Sequence, residues 1–210
     1  MNYFGQFNPP VDKIIHERYF NELENGISIE AGAFDGILDS CTYFFNKYKN
    51  WTTYNIEPLP NIFKKLEENR TDNKSINLNI ALSNIDEYKF IRNYKHPYLN
   101  YDWGNASIEH TLEHRNELEK LSNNTFIEHE VKCLTYNTFI KTHNITHLDL
   151  FVLDVEGHES LVLEGMKNCN ILPDVFVIEH GHKQIDLSNY FDNIYKLDYV
   201  LYNNSYFIKC

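Results

Sequence analysis

Acidic and histidine side chains follow the ends of several apolar, β-branched runs in this chain of 210 residues. Asp154 and Glu156 come directly after one such run, and Glu179 and His180 come after another. Carboxylates and imidazoles can take up a proton near neutral pH when burial or neighbouring charges shift their pKa. Because the carboxyl ends of parallel strands meet at one edge of a sheet, these four side chains are predicted to lie together as a proton-transfer site.

A glycine-containing loop follows the first predicted strand, Ile27–Ala31. Glu30 ends this run, and Gly32 and Gly36 follow it. Glycines at a strand–helix junction allow a sharp turn and let the backbone approach a nucleotide-like ligand. The dinucleotide fingerprint has a glycine where this chain has Glu30, which argues against NAD. An acidic residue suits a ligand with an ammonium group, such as the methionine part of S-adenosylmethionine.

Glu57 occupies the end of the second predicted strand, about 20 residues beyond the glycine loop. An acidic residue at this distance can accept hydrogen bonds from both ribose hydroxyls of a nucleotide. The alternative is a structural carboxylate before the helix that Pro60 begins. The agreement of strand, residue type and spacing favours ribose binding.

The pair His180 and His182 raises the question of a metal, with Asp154 or Glu179 as further ligands. Imidazole and carboxylate groups are common metal ligands. The sequence contains no closed ligand set, so histidines that are solvated or transfer protons are favoured. No metal ligands are predicted, and a divalent metal is not expected.

Positioning these residues requires an open sheet in which strands and helices alternate. Apolar runs predict core strands at 27–31, 51–56, 75–82, 148–153 and 174–178. Helical spacing predicts helices at 12–23, at 40–48, from Pro60, at 135–141, after residue 158 and at 187–197, and a terminal hairpin follows over 199–209.

Residues 84–130 interrupt this alternation. They predict a strand at 88–94, a loop at 98–107, a charged helix at 109–120 and a strand at 125–134. The charged helix has two interpretations, a solvated surface helix or a mobile lid over the substrate. We expect this segment to be an acceptor-side insertion or lid within a single domain that spans residues 1–210.

Composition restricts the classes of protein. The net charge of −11 weighs against a nucleic-acid partner, because phosphate binding needs a basic surface. The four cysteines are widely spaced and predict neither a zinc site nor a disulfide framework. No run of apolar residues is long enough for a membrane span. We expect a soluble protein of the cytoplasm (the host cytoplasm if the source is viral), with its oligomeric state open.

Four segments together resemble the FkbM-type S-adenosylmethionine-dependent methyltransferases. They are Ile29–Gly36 with Thr42–Phe44; Asn55–Phe63; Asn79–Ser83; and Leu150–Glu159 with Leu163–Gly165 and Ile178–His180. The lead-in, with Gln6 and Asp12, also resembles the family's entry segment. Each motif alone is only moderately specific, whereas their order along nearly the whole chain is specific.

The resemblance implies an α/β fold of the Rossmann-like class I methyltransferase type. Its sheet has seven mostly parallel strands with the last one antiparallel, and helices cover both faces. It also implies S-adenosylmethionine as cofactor, S-adenosylhomocysteine as product, and a hydroxyl of a sugar or other small molecule as acceptor. The implied cofactor-binding residues are Glu30, Gly32, Ala33, Asp35, Gly36, Glu57, Pro58, Ala81, Ser83 and Asp154.

Methylation of a hydroxyl needs an aligned acceptor and a base. We expect His180 or Asp154 to take the proton, and Glu156 or Glu179 to orient the base or the acceptor. Other readings stay open at this point: a nucleotide-sugar enzyme that uses NAD, a non-catalytic module that binds a cofactor or glycan, and a protein methyltransferase.

Overall fold

A computed structural model describes residues 1–99, 101–180 and 184–210. It contains a seven-stranded sheet and a three-stranded sheet. The strands are β1 (Ile27–Ala31), β2 (Thr52–Ile56), β3 (Ser75–Leu78), β4 (Ala81–Ser83), β5 (Glu87–Tyr94), β6 (Phe126–Thr135), β7 (Leu150–Leu153), β8 (Val175–Glu179), β9 (Tyr195–Leu201) and β10 (Asn204–Lys209). The helices are α1 (Val11–Tyr19), α2 (Tyr43–Lys49), α3 (Pro60–Asn69), α4 (Leu112–Leu121), α5 (Tyr136–Thr142), α6 (Glu159–Met166) and α7 (Ser188–Phe191).

The larger sheet has the order β3-β2-β1-β7-β8-β10-β9. Neighbouring strands from β3 to β8 are parallel, whereas β10 is antiparallel to both β8 and β9. The central strand β7 is apolar along its whole length because both of its faces are covered. This arrangement confirms the predicted Rossmann-like methyltransferase fold, including its antiparallel last strand.

Side chains of β7 alternate between two cores, which shows that helices cover both faces of the sheet. Phe151 and Leu153 belong to a core that α5 and α6 complete. Leu150 and Val152 belong to a second core on the other face, together with buried residues of α1 and α2. The apolar faces predicted for these helices are therefore buried against the sheet.

The prediction of a single strand at 75–82 is wrong in one respect. These residues form two strands, β3 and β4, which belong to different sheets. The Asn79 side chain donates hydrogen bonds to the carbonyl oxygens of Glu57 (2.9 Å) and Pro58 (3.0 Å). These bonds hold the chain at the break between β3 and β4. The residues after the break pair with β6, so Ala81 lies opposite Cys133.

The helix predicted at 187–197 is too long. The chain forms only the short helix α7, and Asp192 then adopts a positive φ of 49°. Residues from Tyr195 onward form β9 and pair with β10, so the terminal hairpin is longer than predicted. Hydrogen bonding of these residues to β10 has outweighed the tendency to form a helix that the spacing of their apolar side chains predicts.

The smaller sheet has the order β4-β6-β5, and the predicted strands of segment 84–130 form part of it. The Thr111 hydroxyl caps the start of α4 by accepting the His114 N–H at 3.2 Å. The helix and both strands predicted in this segment are therefore present. None of the helices in the described part of the chain is long and apolar enough to cross a bilayer.

Candidate active site

A cavity of about 380 Å³ opens at the carboxyl ends of β1, β2 and β7. Its volume lies within the range of about 300–1,000 Å³ that is usual for small-molecule sites. Predicted site residues that line it are Glu30, Gly32, Ala33, Glu57, Pro58, Ala81, Asp154, Glu156 and Glu179. Those that do not are Asp35, Gly36, Ser83 and His180.

Gly32 lets the loop after β1 lie against the end of β7. Its φ is +89°, and a Cβ atom there would stand 1.8 Å from the Asp154 carbonyl oxygen. The N–H groups of Gly32 and Ala33 both donate to the Ile56 carbonyl oxygen at 3.0 Å. The loop is thereby fixed between β2 and β7, and it forms the floor between Glu57 and Asp154.

Glu30 is buried and accepts three hydrogen bonds from the chain itself. The donors are the Ser40 hydroxyl (2.8 Å), the Cys41 N–H (2.6 Å) and the Thr42 hydroxyl (2.6 Å). Burial raises the pKa of Glu30, while these donors favour its ionised form. Because a carboxylate has about four acceptor positions, Glu30 has little capacity left for a ligand. It mainly anchors the segment that leads into α2.

Asp35 and Gly36 have local roles and lie off the cavity wall. The Asp35 carboxylate accepts the N–H groups of Ile37 (2.9 Å) and Leu38 (2.8 Å). A Cβ atom on Gly36 would come within 2.7 Å of the Arg70 side chain. Contact with a ligand in this cavity is therefore not supported for these two residues.

His158 is a cavity residue that sequence reasoning did not assign to the site, and Ser83 lies behind it. The Ser83 hydroxyl is 3.0 Å from His158 Nε2. Burial lowers the pKa of His158 to about 4, so the imidazole is neutral at physiological pH. Its buried Nδ1 has no hydrogen-bond partner within the described residues. The signal in the sequence was its position directly after the acidic strand end, at the start of α6.

Glu57 lies in the cavity wall at the end of β2 and is only 6% exposed. One carboxylate oxygen accepts the Leu59 N–H at 2.8 Å. Burial raises the pKa of this carboxyl to about 8, because backbone donors only partly offset the loss of water. Its remaining acceptor positions are available to donors from a ligand.

Asp154, Glu156 and Glu179 bring carboxylate oxygens within 4.8 Å of one another. Burial, followed by the charge of Glu179, raises the pKa of Asp154 well above its usual range. Burial and the same neighbour raise the pKa of Glu156 to about 8. One oxygen of Asp154, Oδ1, is buried without a hydrogen-bond partner among the described residues. The group is suited to a positively charged ligand or to proton transfer.

The turn between β7 and α6 presents Glu156 in a left-handed conformation with a φ of 58°. Glu159 holds this turn, because its carboxylate accepts the N–H groups of Val155 (3.2 Å) and Gly157 (3.0 Å). On its other side, Glu156 lies 3.5 Å from His114 Nδ1 of α4. The turn is therefore contacted by two side chains, Glu159 from the start of α6 and His114 from α4.

His180 follows β8, and its backbone N–H donates to the Asn203 carbonyl oxygen at 2.7 Å. Neither of its ring nitrogens has a hydrogen-bond partner within the described residues. His182, which the sequence analysis considered with His180 as a metal-binding alternative, lies outside those residues. The Asn203 side chain also hydrogen-bonds to Glu179.

A second cleft shares Glu156 and Glu179 with the first cavity. His180, Glu113 and His114 also line it. The two shared carboxylates therefore stand where the two spaces meet. A ligand in one space and a ligand in the other would approach each other at this point.

Residues 101–108, most of which fall in the loop predicted at 98–107, form one wall of the first cavity. The Trp103 indole N–H donates to the Tyr94 carbonyl oxygen at 2.6 Å, and the Asn105 amide donates to the same oxygen at 3.0 Å. The Ser107 hydroxyl donates to the Val155 carbonyl oxygen at 3.0 Å. These bonds connect the smaller sheet to the turn that carries Glu156.

The lead-in segment reaches the same cavity through Gln6. Asp12 holds it in place, because its carboxylate accepts the N–H groups of Phe4 (2.7 Å) and Gly5 (3.0 Å). The site is thus assembled from the segment that carries Gln6, from residues 101–108 and from four strand ends.

Comparison with known proteins agrees with this geometry. The family model of the methyltransferase FkbM domain matches residues 30–202, which include the glycine loop, Glu57 and the acidic strand ends. A search of curated proteins found no match, and a search of solved structures found none either. Because the family model covers most of the chain, this protein belongs to the FkbM methyltransferase family.

Proposed function

We propose that the chain is an S-adenosylmethionine-dependent O-methyltransferase that methylates a hydroxyl of a sugar or glycan. The observation that carries the proposal is the placement of Glu57 and Asp154 in one cavity. Their strands, β2 and β7, flank β1 in the sheet. Two strand spacings amount to about 10 Å, a distance that a nucleoside joined to an amino acid can span.

The residues of the cavity fit this cofactor. Asp154, Glu156 and Glu179 crowd together, and the buried oxygen of Asp154 lacks a partner among the described residues. Positive charge placed beside them would favour their ionised forms. When bound, S-adenosylmethionine supplies an electrophilic methyl group on a positively charged sulfur.

Each part of the cavity has an assigned role in the proposal. Glu57 accepts hydrogen bonds from the ribose hydroxyls, and Pro58 and Ala81 flank the nucleoside. Gly32 and Ala33 provide the close backbone under it. Asp154 lies at the methionine end, near the acceptor. Glu30 acts on the cofactor indirectly, since its hydrogen bonds fix the segment at 40–42 that borders the site.

The acceptor's hydroxyl gives its proton to Asp154 or His180, while Glu156 or Glu179 orients the base or the acceptor. A carboxyl with a raised pKa suits proton transfer near neutral pH, and a positioned base contributes roughly 10²–10⁴-fold in rate. Alignment of the cofactor and the acceptor where the cavity and the cleft meet contributes the remainder of the rate acceleration.

In this proposal residues 84–130 are the acceptor-side insertion or lid of a single domain. Support comes from the hydrogen bonds that this segment makes to the end of β7 and from its share of the cavity wall. A cytoplasmic location also stays a prediction.

The test is an assay with methyl-labelled S-adenosylmethionine and a panel of sugars and glycans. The proposal predicts equal amounts of S-adenosylhomocysteine and of a methylated sugar whose label survives alkali, as an ether does and an ester does not. Transfer only to nitrogen or to protein side chains would contradict it. Cofactor binding without transfer to any acceptor would indicate a binding module.

A further inference from the structure

The second cleft, which we call the acceptor cleft, has a distinctive charge. Five carboxylate side chains line it. They are Glu113, Glu156, Glu159, Glu179 and Asp186. Across residues 1–99, 101–180 and 184–210, no lysine or arginine contributes to its wall. Two histidines, His114 and His180, line it within these ranges.

Two of the carboxylates are exposed at the rim of the cleft, and they come from segments far apart in the sequence. Glu113 lies in the first turn of α4. Asp186 precedes α7, and its carboxylate accepts the Ser188 N–H at 3.0 Å. Hydrogen bonds from the Ser188 side chain and then from its backbone N–H lower the pKa of Asp186, so this carboxylate is ionised throughout the neutral range.

The remaining lining is suited to hydroxyl groups. Amide side chains of Gln184 and Asn189 can each donate and accept hydrogen bonds, and the hydroxyl of Ser160 can do the same. Tyr190 adds an aromatic ring, and the Lys167 ammonium lies 5.3 Å from the centre of that ring. Lys167 itself does not line the cleft.

These features decide which sugars can enter. A phosphate, a nucleotide diphosphate or a uronic acid would bring negative charge next to the rim carboxylates, Glu113 and Asp186, and next to Glu179. Like charges at such distances repel appreciably, and salt only partly screens them. Hydroxyls and protonated amines meet acceptors instead.

We infer that the acceptor cleft takes the hydroxyl of an uncharged or amino-bearing sugar and rejects phosphorylated, nucleotide-linked and acidic sugars. This inference rests on the proposed function for the identity of the reaction. Its physical basis, the negative potential of the cleft, does not depend on that function and can be measured alone.

The measurement uses two nitroxides of equal size, one carrying an amine and one a carboxylate, added to the isotope-labelled protein. Paramagnetic relaxation of the amide protons of Thr111, Glu113 and Ser160 reports how often each nitroxide visits the cleft. We expect the cationic nitroxide to act roughly five- to tenfold more strongly there than the anionic one. Equal effects, or a stronger effect of the anion, would overturn the inference.

A matched pair of variants separates the cleft from the overall charge of −11. Glu113→Lys changes the rim, whereas Glu117→Lys makes the same change in charge on α4 outside the cleft. The first should lower the preference for the cationic nitroxide at Ser160 more than the second. Equal effects of the two substitutions would show that the cleft has no potential of its own.

The acceptor itself is tested with small-molecule extracts separated by anion exchange. Methyl label should enter the fraction that does not bind the exchanger, and label confined to the bound, anionic fraction would overturn the inference. Calorimetric binding of S-adenosylhomocysteine is measured in parallel. If the nitroxides confirm the potential but S-adenosylhomocysteine does not bind, then the proposed function fails and the charge of the cleft stands.

Discussion

The strands β7 and β8 each have an acidic residue at both ends, and the two ends differ in how these residues are satisfied. At the amino ends, Asp149 accepts the Ile27 N–H at 2.7 Å and lies 3.0 Å from His147 Nε2. Asp174 lies 3.5 Å from the same histidine nitrogen and 3.8 Å from the Lys209 ammonium. Asp149 therefore accepts a hydrogen bond from the backbone, and Asp174 lies near two basic side chains.

At the carboxyl ends, Asp154, Glu156 and Glu179 instead face one another, and burial and their own charges raise the pKa of the first two. A group that the chain itself satisfies stabilises the fold, whereas a crowded group costs free energy unless something else compensates it. We therefore expect the amino-end acids to be structural, and we propose that the carboxyl-end acids contact a ligand.

The largest effect should come from substituting one acid at each end. Asp154→Asn removes a candidate base and should lower turnover roughly 10²–10⁴-fold, while Asp149→Asn should leave turnover per folded molecule nearly unchanged. Steady-state rates at saturating cofactor give the measurement, with His180→Ala as a third variant. If neither Asp154→Asn nor His180→Ala slows turnover while cofactor binding survives, the assignment of the base is wrong.

A smaller effect is expected on stability. Here the acid at the amino ends of the strands should matter more than the acid at the carboxyl ends. Asp149→Asn replaces the carboxylate that binds the Ile27 N–H and His147, so it should lower the free energy of unfolding by about 1–3 kcal/mol. Urea unfolding of this variant beside Asp154→Asn makes the comparison. A greater loss of stability in Asp154→Asn would reverse the roles given to the two ends.

The smallest effect concerns pH. The pKa of Glu156 is about 8 in the folded protein, against an ordinary value of 4.5. Between these values the folded state holds a proton that the unfolded state has lost, so the stabilisation is full below pH 4.5 and disappears as the pH rises through about 8. Thermal unfolding of the ligand-free protein should therefore show a Tm that falls from pH 5 to pH 9.

Glu156→Gln, which stays neutral, should make that fall less steep, whereas Asp149→Asn should not. Glu57 adds to the same trend, because burial raises its pKa to about 8 as well. If Glu156→Gln leaves the slope of Tm against pH unchanged, then the acids at the carboxyl ends of the strands do not destabilise the protein in the absence of a ligand.

The sequence predicts the larger sheet well because each of its strands is indicated by a local pattern of residues. Apolar runs such as Ile27–Ala31 and Leu150–Leu153 are bounded by glycine or acidic residues, and their order implies parallel pairing. The family resemblance adds the antiparallel β10. Errors occurred where distant contacts decide, as at Asn79, whose bonds to Glu57 and Pro58 end β3.

The same distinction applies to the site. Strand ends locate Glu57, Asp154 and Glu179 correctly in one place, because a parallel sheet brings its carboxyl ends together. No local pattern in the sequence reveals that the Glu30 carboxylate accepts hydrogen bonds from residues 40–42. Nor does one reveal that the Ser107 hydroxyl, beside the smaller sheet, donates a hydrogen bond at the end of β7. These contacts join segments far apart in the chain, and the folded structure is needed to find them.

The central claim is that Glu57 holds a nucleoside at the carboxyl end of β2. Calorimetric titration of S-adenosylhomocysteine into the wild-type protein, Glu57→Ala and Glu68→Ala tests it most directly, since Glu68 is an exposed acid of α3 away from the cavity. We predict micromolar binding that Glu57→Ala weakens roughly 10- to 100-fold and Glu68→Ala leaves unchanged, because Glu57 loses charged hydrogen bonds to the ligand. No binding to the wild-type protein, or equal binding to all three, would contradict the account.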